Sequence, residues 1–214
     1  MTKSPVEIIY ERLAPVYDVI YGATLAPGRR RAMTRLAPAN GELILEVGVG
    51  TGLSAVEYPT RCRVVAVDLS PVMLDRARSR FARVHVNHVA LCRMDAAHLG
   101  FPDNRFVAVY APYVMNVVAD PVAVAREMLR VCRPSGRLIL LNHFDDAGAG
   151  SWLSGLLGRL ASLAGVNWHM DLHGFLREAG LVAWSIERVN VPSVSSVVMC
   201  RKGVGVPALT GEVT

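Results

Sequence analysis

The sequence predicts an α/β domain in which seven strands form a mostly parallel sheet covered on both faces by helices. Three observations predict it. Short, continuously apolar runs alternate with amphipathic segments from residue 43 onward, as strands buried on both faces require. The first of these runs ends in a turn holding three glycines, at positions 48, 50 and 52. The chain of 214 residues, 52% hydrophobic and 19% charged, is long and apolar enough for one large core.

In chain order, Ser4, Pro5 and Glu7 form a capping box that opens a helix reaching about Leu13, before Pro15 interrupts it. A second helix is predicted over 29–36. The strand at 43–47 follows, then one at 64–67 that closes in Asp68. Ser70-Pro71 starts a helix with Met73, Leu74, Ala77 and Phe81 on one face. Strands near 89–94 and 106–111 come next, then a helix over 121–132. Pro134-Ser135-Gly136 reads as a turn before a strand at 137–141. The last helix is expected near 171–179 and the last strands near 181–189 and 194–200. Residues 1–36 therefore read as N-terminal lid helices. Residues 37–202 read as the main domain, with a helical insertion at about 145–170, and 203–214 as a flexible tail.

The formal charge is +5, and Lys3 and Lys202 are the only lysines. An excess of arginine suits an anionic partner such as phosphate or a lipid surface, or serves solubility alone. Cys62, Cys92, Cys132 and Cys200 are scattered, without disulfide or zinc spacing, so a reducing cytoplasm and no metal are expected. No stretch reaches the roughly 18 apolar residues of a membrane span. The expected place is the cytoplasm, with peripheral contact at the inner face of the membrane.

Glycines after a first parallel strand permit a sharp reversal and let a ligand lie against bare backbone, facing the amides of a following helix. The dinucleotide pattern G-x-G-x-x-G places its third glycine where Leu53 stands, so that pattern fails. The glycines alternate instead, behind Glu46, which suits a nucleoside carrying an amino-acid tail and no pyrophosphate. Asp68 at the next strand end can accept two ribose hydroxyls; the alternative role is a helix cap.

The stretches Glu46-Val47-Gly48-Val49-Gly50-Thr51-Gly52, Met94-Asp95-Ala96, Phe101-Pro102-Asp103 and Arg133-Pro134-Ser135-Gly136 resemble the class I methyltransferases dependent on S-adenosylmethionine (SAM). The resemblance spans about residues 40–145. It implies a three-layer, Rossmann-like fold with an antiparallel C-terminal hairpin, and SAM as cofactor. It also implies an adenine site in which Asp95 meets the amino group and Leu69, Met94 and Ala96 flank the ring, with Ala111 as a further cofactor contact. Ser135 replaces the usual second glycine of the family's turn. Leu13-Ala14-Pro15-Val16-Tyr17-Asp18, Pro27-Gly28-Arg29-Arg30, Ala111-Pro112-Tyr113-Val114 and Asn142-His143-Phe144 are most similar to small bacterial phosphatidylethanolamine N-methyltransferases. That resemblance implies stepwise methylation of phosphatidylethanolamine toward phosphatidylcholine; the alternative is a quinone or other small acceptor. No nucleic-acid partner is expected.

Methyl transfer to an amine needs alignment and removal of the ammonium proton. His143, at the carboxyl edge of the sheet, is the candidate base, with His169 and His173 as further candidates. Tyr17 resembles a lid tyrosine that contacts the cofactor or head group. Tyr21 and Tyr113 offer rings to a methylated ammonium, and Asn116 and Asn142 could orient it. Arg29, Arg30 and Arg31 form a basic cluster for lipid phosphates, or a solvated helix face. In a helical projection of 151–165, Trp152, Leu156 and Leu160 share an apolar side opposite serines and glycines, which suits a lipid interface; an ordinary lid helix is the alternative.

Overall fold

The computed structural model describes residues 22–144, 170–190 and 195–201. Within them, α1 is Ala26–Leu36 and starts earlier than predicted, with Pro27 where a missing N–H costs nothing. Then come β1 (Leu43–Val47), β2 (Arg63–Asp68), α2 (Pro71–Arg83), β3 (Val89–Arg93) and β4 (Phe106–Pro112). The chain continues through α3 (Pro121–Val131), β5 (Cys132–Asn142), α4 (Leu172–Ala179), β6 (Val182–Val189) and β7 (Ser195–Arg201).

Local chemistry sets the helix ends. Ser70 caps α2 by accepting from the Met73 N–H at 3.3 Å, and Asp120 caps α3 by accepting from Ala123 at 2.9 Å. Asp171 caps α4 by accepting from His173 and Gly174, and Gly180 stops it in the left-handed region at φ 68°. The predicted turn at Pro134-Ser135-Gly136 is folded into β5. Phe106 pairs with Cys132 but Ala108 with Arg137, so the intervening residues bulge out, with Ser135 at φ 58°.

One expected element is much reduced. Where a helix should follow the glycine turn, a single 3₁₀ turn covers Ala55–Glu57. Pro59 holds Tyr58 extended at ψ 137°, and β2 already begins at Arg63, so no room remains for a longer helix.

The sheet order is β3-β2-β1-β4-β5-β7-β6. Strands β1 to β5 run parallel to one another, whereas β7 runs antiparallel to both β5 and β6. Alternation along each strand divides the core. Leu45, Val109, Leu138 and Val198 pack under α3 and α4. Ile44, Ala108, Ile139 and Val197 pack under α1 and α2. The three layers and the antiparallel hairpin are those the sequence predicted. The connections leave β1 toward β2 on one side and β4 on the other, which opens a crevice at the carboxyl ends of these strands. No helix among the described residues is long and apolar enough to cross a membrane.

Candidate active site

A cavity of about 770 Å³ occupies that crevice. Its wall is built from the glycine turn, the ends of β2 and β3, the loop after β4 and one side of α1. Gly48, Gly50, Asp68, Leu69, Met94, Asp95, Ala96 and Tyr113 all line it.

The glycines serve different contacts. A side chain on Gly48 would place Cβ 2.5 Å from Val114, and one on Gly52 would sit 2.7 Å from Phe81. Gly50, at φ 54°, faces open space and lines the cavity, so bare backbone meets whatever binds there. The amides of the turn, however, are not free for a ligand. The N–H groups of Gly48 and Val49 go to Val67 O, Gly52 N–H goes to Val49 O, and Gly50 N–H goes to Asp68. Parallel β2 ends beside the turn, and its last acceptors capture these donors.

Asp68 accepts from Gly50 at 2.8 Å through Oδ2 and from Ser70 at 2.9 Å through Oδ1. Burial raises its pKa above the usual range, and these backbone donors pull it back. Asp68 braces the entry to α2, and its carboxylate keeps acceptor capacity for a further donor. Leu69, 48% exposed, contributes an apolar side chain to the cavity wall. Asp95 holds its own loop by accepting from Ala97 at 2.9 Å and lies 3.3 Å from His98.

Glu46, Gly52 and Ala111 do not line the cavity. Ala111 is fully buried in β4, and Gly52 packs on α2. Glu46 lies wholly buried beneath the turn, in the layer of α1 and α2, because alternation in β1 points it away from the crevice mouth. Among the described residues neither of its oxygens makes a well-aligned hydrogen bond. Burial pushes the Glu46 carboxyl up to about 8, and neighbouring Tyr58 and Arg29 offset only part of this.

The arginine cluster does not exist as one face, since successive helix residues turn by about 100°. Arg29 is buried, lines the cavity, donates to Gly22 O and lies 4.0 Å from Glu57. Arg31 pairs with Glu187, as does Arg35 at 2.9 Å. Arg30 is exposed.

His143 and Asn142 stand at the end of β5 but do not line the cavity. Asn142 is fully buried, with both amide atoms unpartnered among the described residues. His143 is buried behind Tyr113, the two ring centroids 5.4 Å apart. Asn116 clamps the His143 backbone, donating to its C=O at 3.0 Å and accepting from its N–H at 3.2 Å. Asn190 and Ser195, which no motif marked, reach His143 and Tyr113 from the hairpin. His173 is exposed at the start of α4. Tyr17, Tyr21, Trp152, Leu156, Leu160 and His169 lie outside the described residues.

The family model described as a methyltransferase domain matches residues 45–140. Over 164 residues the chain is 40% identical to the phosphatidylethanolamine N-methyltransferase of Cereibacter sphaeroides, covering 76% of this chain and 79% of that protein. It is 34% identical over 148 residues to the demethylmenaquinone methyltransferase of Renibacterium salmoninarum, covering 65% of this chain and 60% of that protein. Among solved structures, the cyclase SpnF shares the fold with a TM-score of 0.75 at 20% identity, over 94% of this chain and 96% of that one. A shared fold does not carry a shared reaction; the sequence relatives do more. With its glycine turn, its strand-end acid and a relative of this identity and coverage, the chain belongs to the class I SAM-dependent methyltransferases and is a SAM-dependent enzyme.

Proposed function

We propose that this enzyme is an N-methyltransferase that acts on the head-group amine of phosphatidylethanolamine, stepwise toward phosphatidylcholine. The 40% identity to the Cereibacter sphaeroides enzyme carries the reading. The meeting of Tyr113 and His143 beside the cavity supports it, since both come from stretches similar to that group.

The cavity suits SAM, which when bound supplies a methyl group on a sulfonium. The bare backbone at Gly50 leaves space for the amino-acid tail. Asp68 offers its remaining lone pairs to the ribose hydroxyls, and Asp95 one to the adenine amino group. Leu69, Met94 and Ala96 give apolar cover to the ring. Tyr113 presents an aromatic face to a methylated ammonium. Arg29, inside the cavity, faces anionic groups of cofactor or substrate, and exposed Arg30 remains available to lipid phosphate. The apolar side of 151–165, with Trp152, Leu156 and Leu160, is assigned to the membrane surface on sequence grounds.

A quinone acceptor is the second reading, favoured by the 34% identity to a demethylmenaquinone methyltransferase. Purified enzyme incubated with methyl-labelled SAM and total lipid extract separates the two. Label in the phospholipid fraction supports the first reading. Label confined to the quinone fraction overturns it.

A further inference from the structure

After β3 the chain forms an arch over residues 94–99, and Met94, Asp95, Ala96, Ala97 and His98 in it all line the cavity. The Asp95 side chain is 53% exposed, so packing does not hold it. The arch holds it instead. Asp95 Oδ1 accepts from the Ala97 N–H at 2.9 Å, and the His98 N–H donates to the Asp95 C=O at 3.1 Å. The Gly100 N–H donates to Met94 Sδ at 3.3 Å, which draws the two feet of the arch together.

Both feet are pinned to the core. At the first, the Met94 N–H donates to the Asp68 C=O at 3.0 Å, tying the arch to the end of β2. At the second, α3 takes both backbone groups of buried Leu99. Its N–H donates to Glu127 Oε2 at 2.7 Å, and its C=O accepts from Arg130 Nη2 at 2.7 Å. Glu127 and Arg130 stand one helical turn apart and join by two prongs, Nε to Oε1 at 2.7 Å and Nη2 to Oε2 at 2.8 Å. Arg130 Nη1 donates to the Phe101 C=O at 2.8 Å and to Asp103 Oδ1 at 2.7 Å. Every N–H of the guanidinium therefore has an acceptor, and Leu99, Phe101 and Asp103 all lie on the segment that carries the arch. Only the planar fork of arginine reaches all of them at once.

We propose that Glu127 and Arg130 are positioning residues for the cofactor: through Leu99 they fix the arch against β2, at the place where Asp95 meets the adenine amino group. This rests on the adenine role of Asp95 and not on which acceptor is methylated. An exposed acid on a short loop accepts strongly from a ligand only where the loop is ordered beforehand. A loose arch would lose part of that contact to its own ordering on binding.

The test is titration calorimetry of the full chain with two ligands, S-adenosylhomocysteine and its analogue with hydrogen in place of the adenine amino group. The wild type should prefer S-adenosylhomocysteine by about 10-fold, the scale of one hydrogen bond to a charged acceptor. Asp95→Ala should bind both alike. Arg130→Met should weaken S-adenosylhomocysteine about 10-fold but the analogue only about threefold, which cuts the preference to about threefold. Arg130→Lys should recover little of it, because one ammonium cannot replace the fork. Glu127→Gln keeps the shape of the clamp and should give an intermediate preference; it carries the test where Arg130→Met does not fold. A role in stability alone would weaken both ligands by the same factor. Folded variants that keep the full wild-type preference, however weakly they bind, would overturn the clamp alone. A wild type that binds both ligands equally would overturn the adenine role of Asp95, and this assignment with it.

Discussion

Gly50 donates its backbone N–H to Oδ2 of Asp68 at 2.8 Å, while Oδ1 of the same carboxylate accepts from Ser70 at 2.9 Å. One acid thereby joins the turn after β1 to the start of α2. The cavity wall is braced by the group proposed to hold the ribose.

Asp68→Ala removes the brace and the sugar acceptors together. Hydrogen bonds to a charged group are worth about 1.5–3 kcal/mol. Affinity for S-adenosylhomocysteine, measured by titration calorimetry, should therefore fall about 10–100-fold. Unchanged affinity in a folded variant would reject the sugar role.

Gly50 and Gly52 should respond differently to valine. Gly50→Val meets no protein atom but projects into the cavity, so cofactor affinity should collapse while stability falls by only about 1–2 kcal/mol of left-handed strain. Gly52→Val drives into Phe81 and should lower the thermal midpoint more than Gly50→Val does. Equal effects on both measurements would contradict this division.

Glu46 should make stability depend on pH. Its pKa rises from an ordinary 4.5 to about 8 on folding, so the folded state favours the protonated acid. Its contribution is full below about 4.5 and is lost as pH rises through about 8. At about 1.36 kcal/mol per unit the swing is on the order of a few kcal/mol. Glu46→Gln should flatten the urea-midpoint profile across this window and stabilise the protein most at its alkaline end. A wild-type profile already flat there would show that Glu46 ionises freely.

The proposed lipid contact predicts flotation with anionic liposomes. Leu156→Asp combined with Leu160→Asp should abolish it, because each change puts a charge on the apolar side of the projection. Persistent flotation of the double variant would place the lipid contact elsewhere.

By itself the sequence determined what neighbours along the chain decide. Apolar runs against amphipathic ones set the strand and helix order, and Ser70, Asp120 and Gly180 set helix ends. The alternating glycines with Asp68 marked the cavity, because a strand-end turn and the next strand end are adjacent in any parallel sheet of this kind. Tertiary structure alone decided where side chains point across elements. It turned Glu46 away from the cavity, split Arg29 from Arg31, and spent the turn's amides on β2. It also brought Ser195 to His143 and Asn190 to Tyr113, across separations of 52 and 77 positions. No local pattern could announce that meeting, since it depends on an antiparallel β7 lying beside β5, and register between distant strands is fixed only when the core packs.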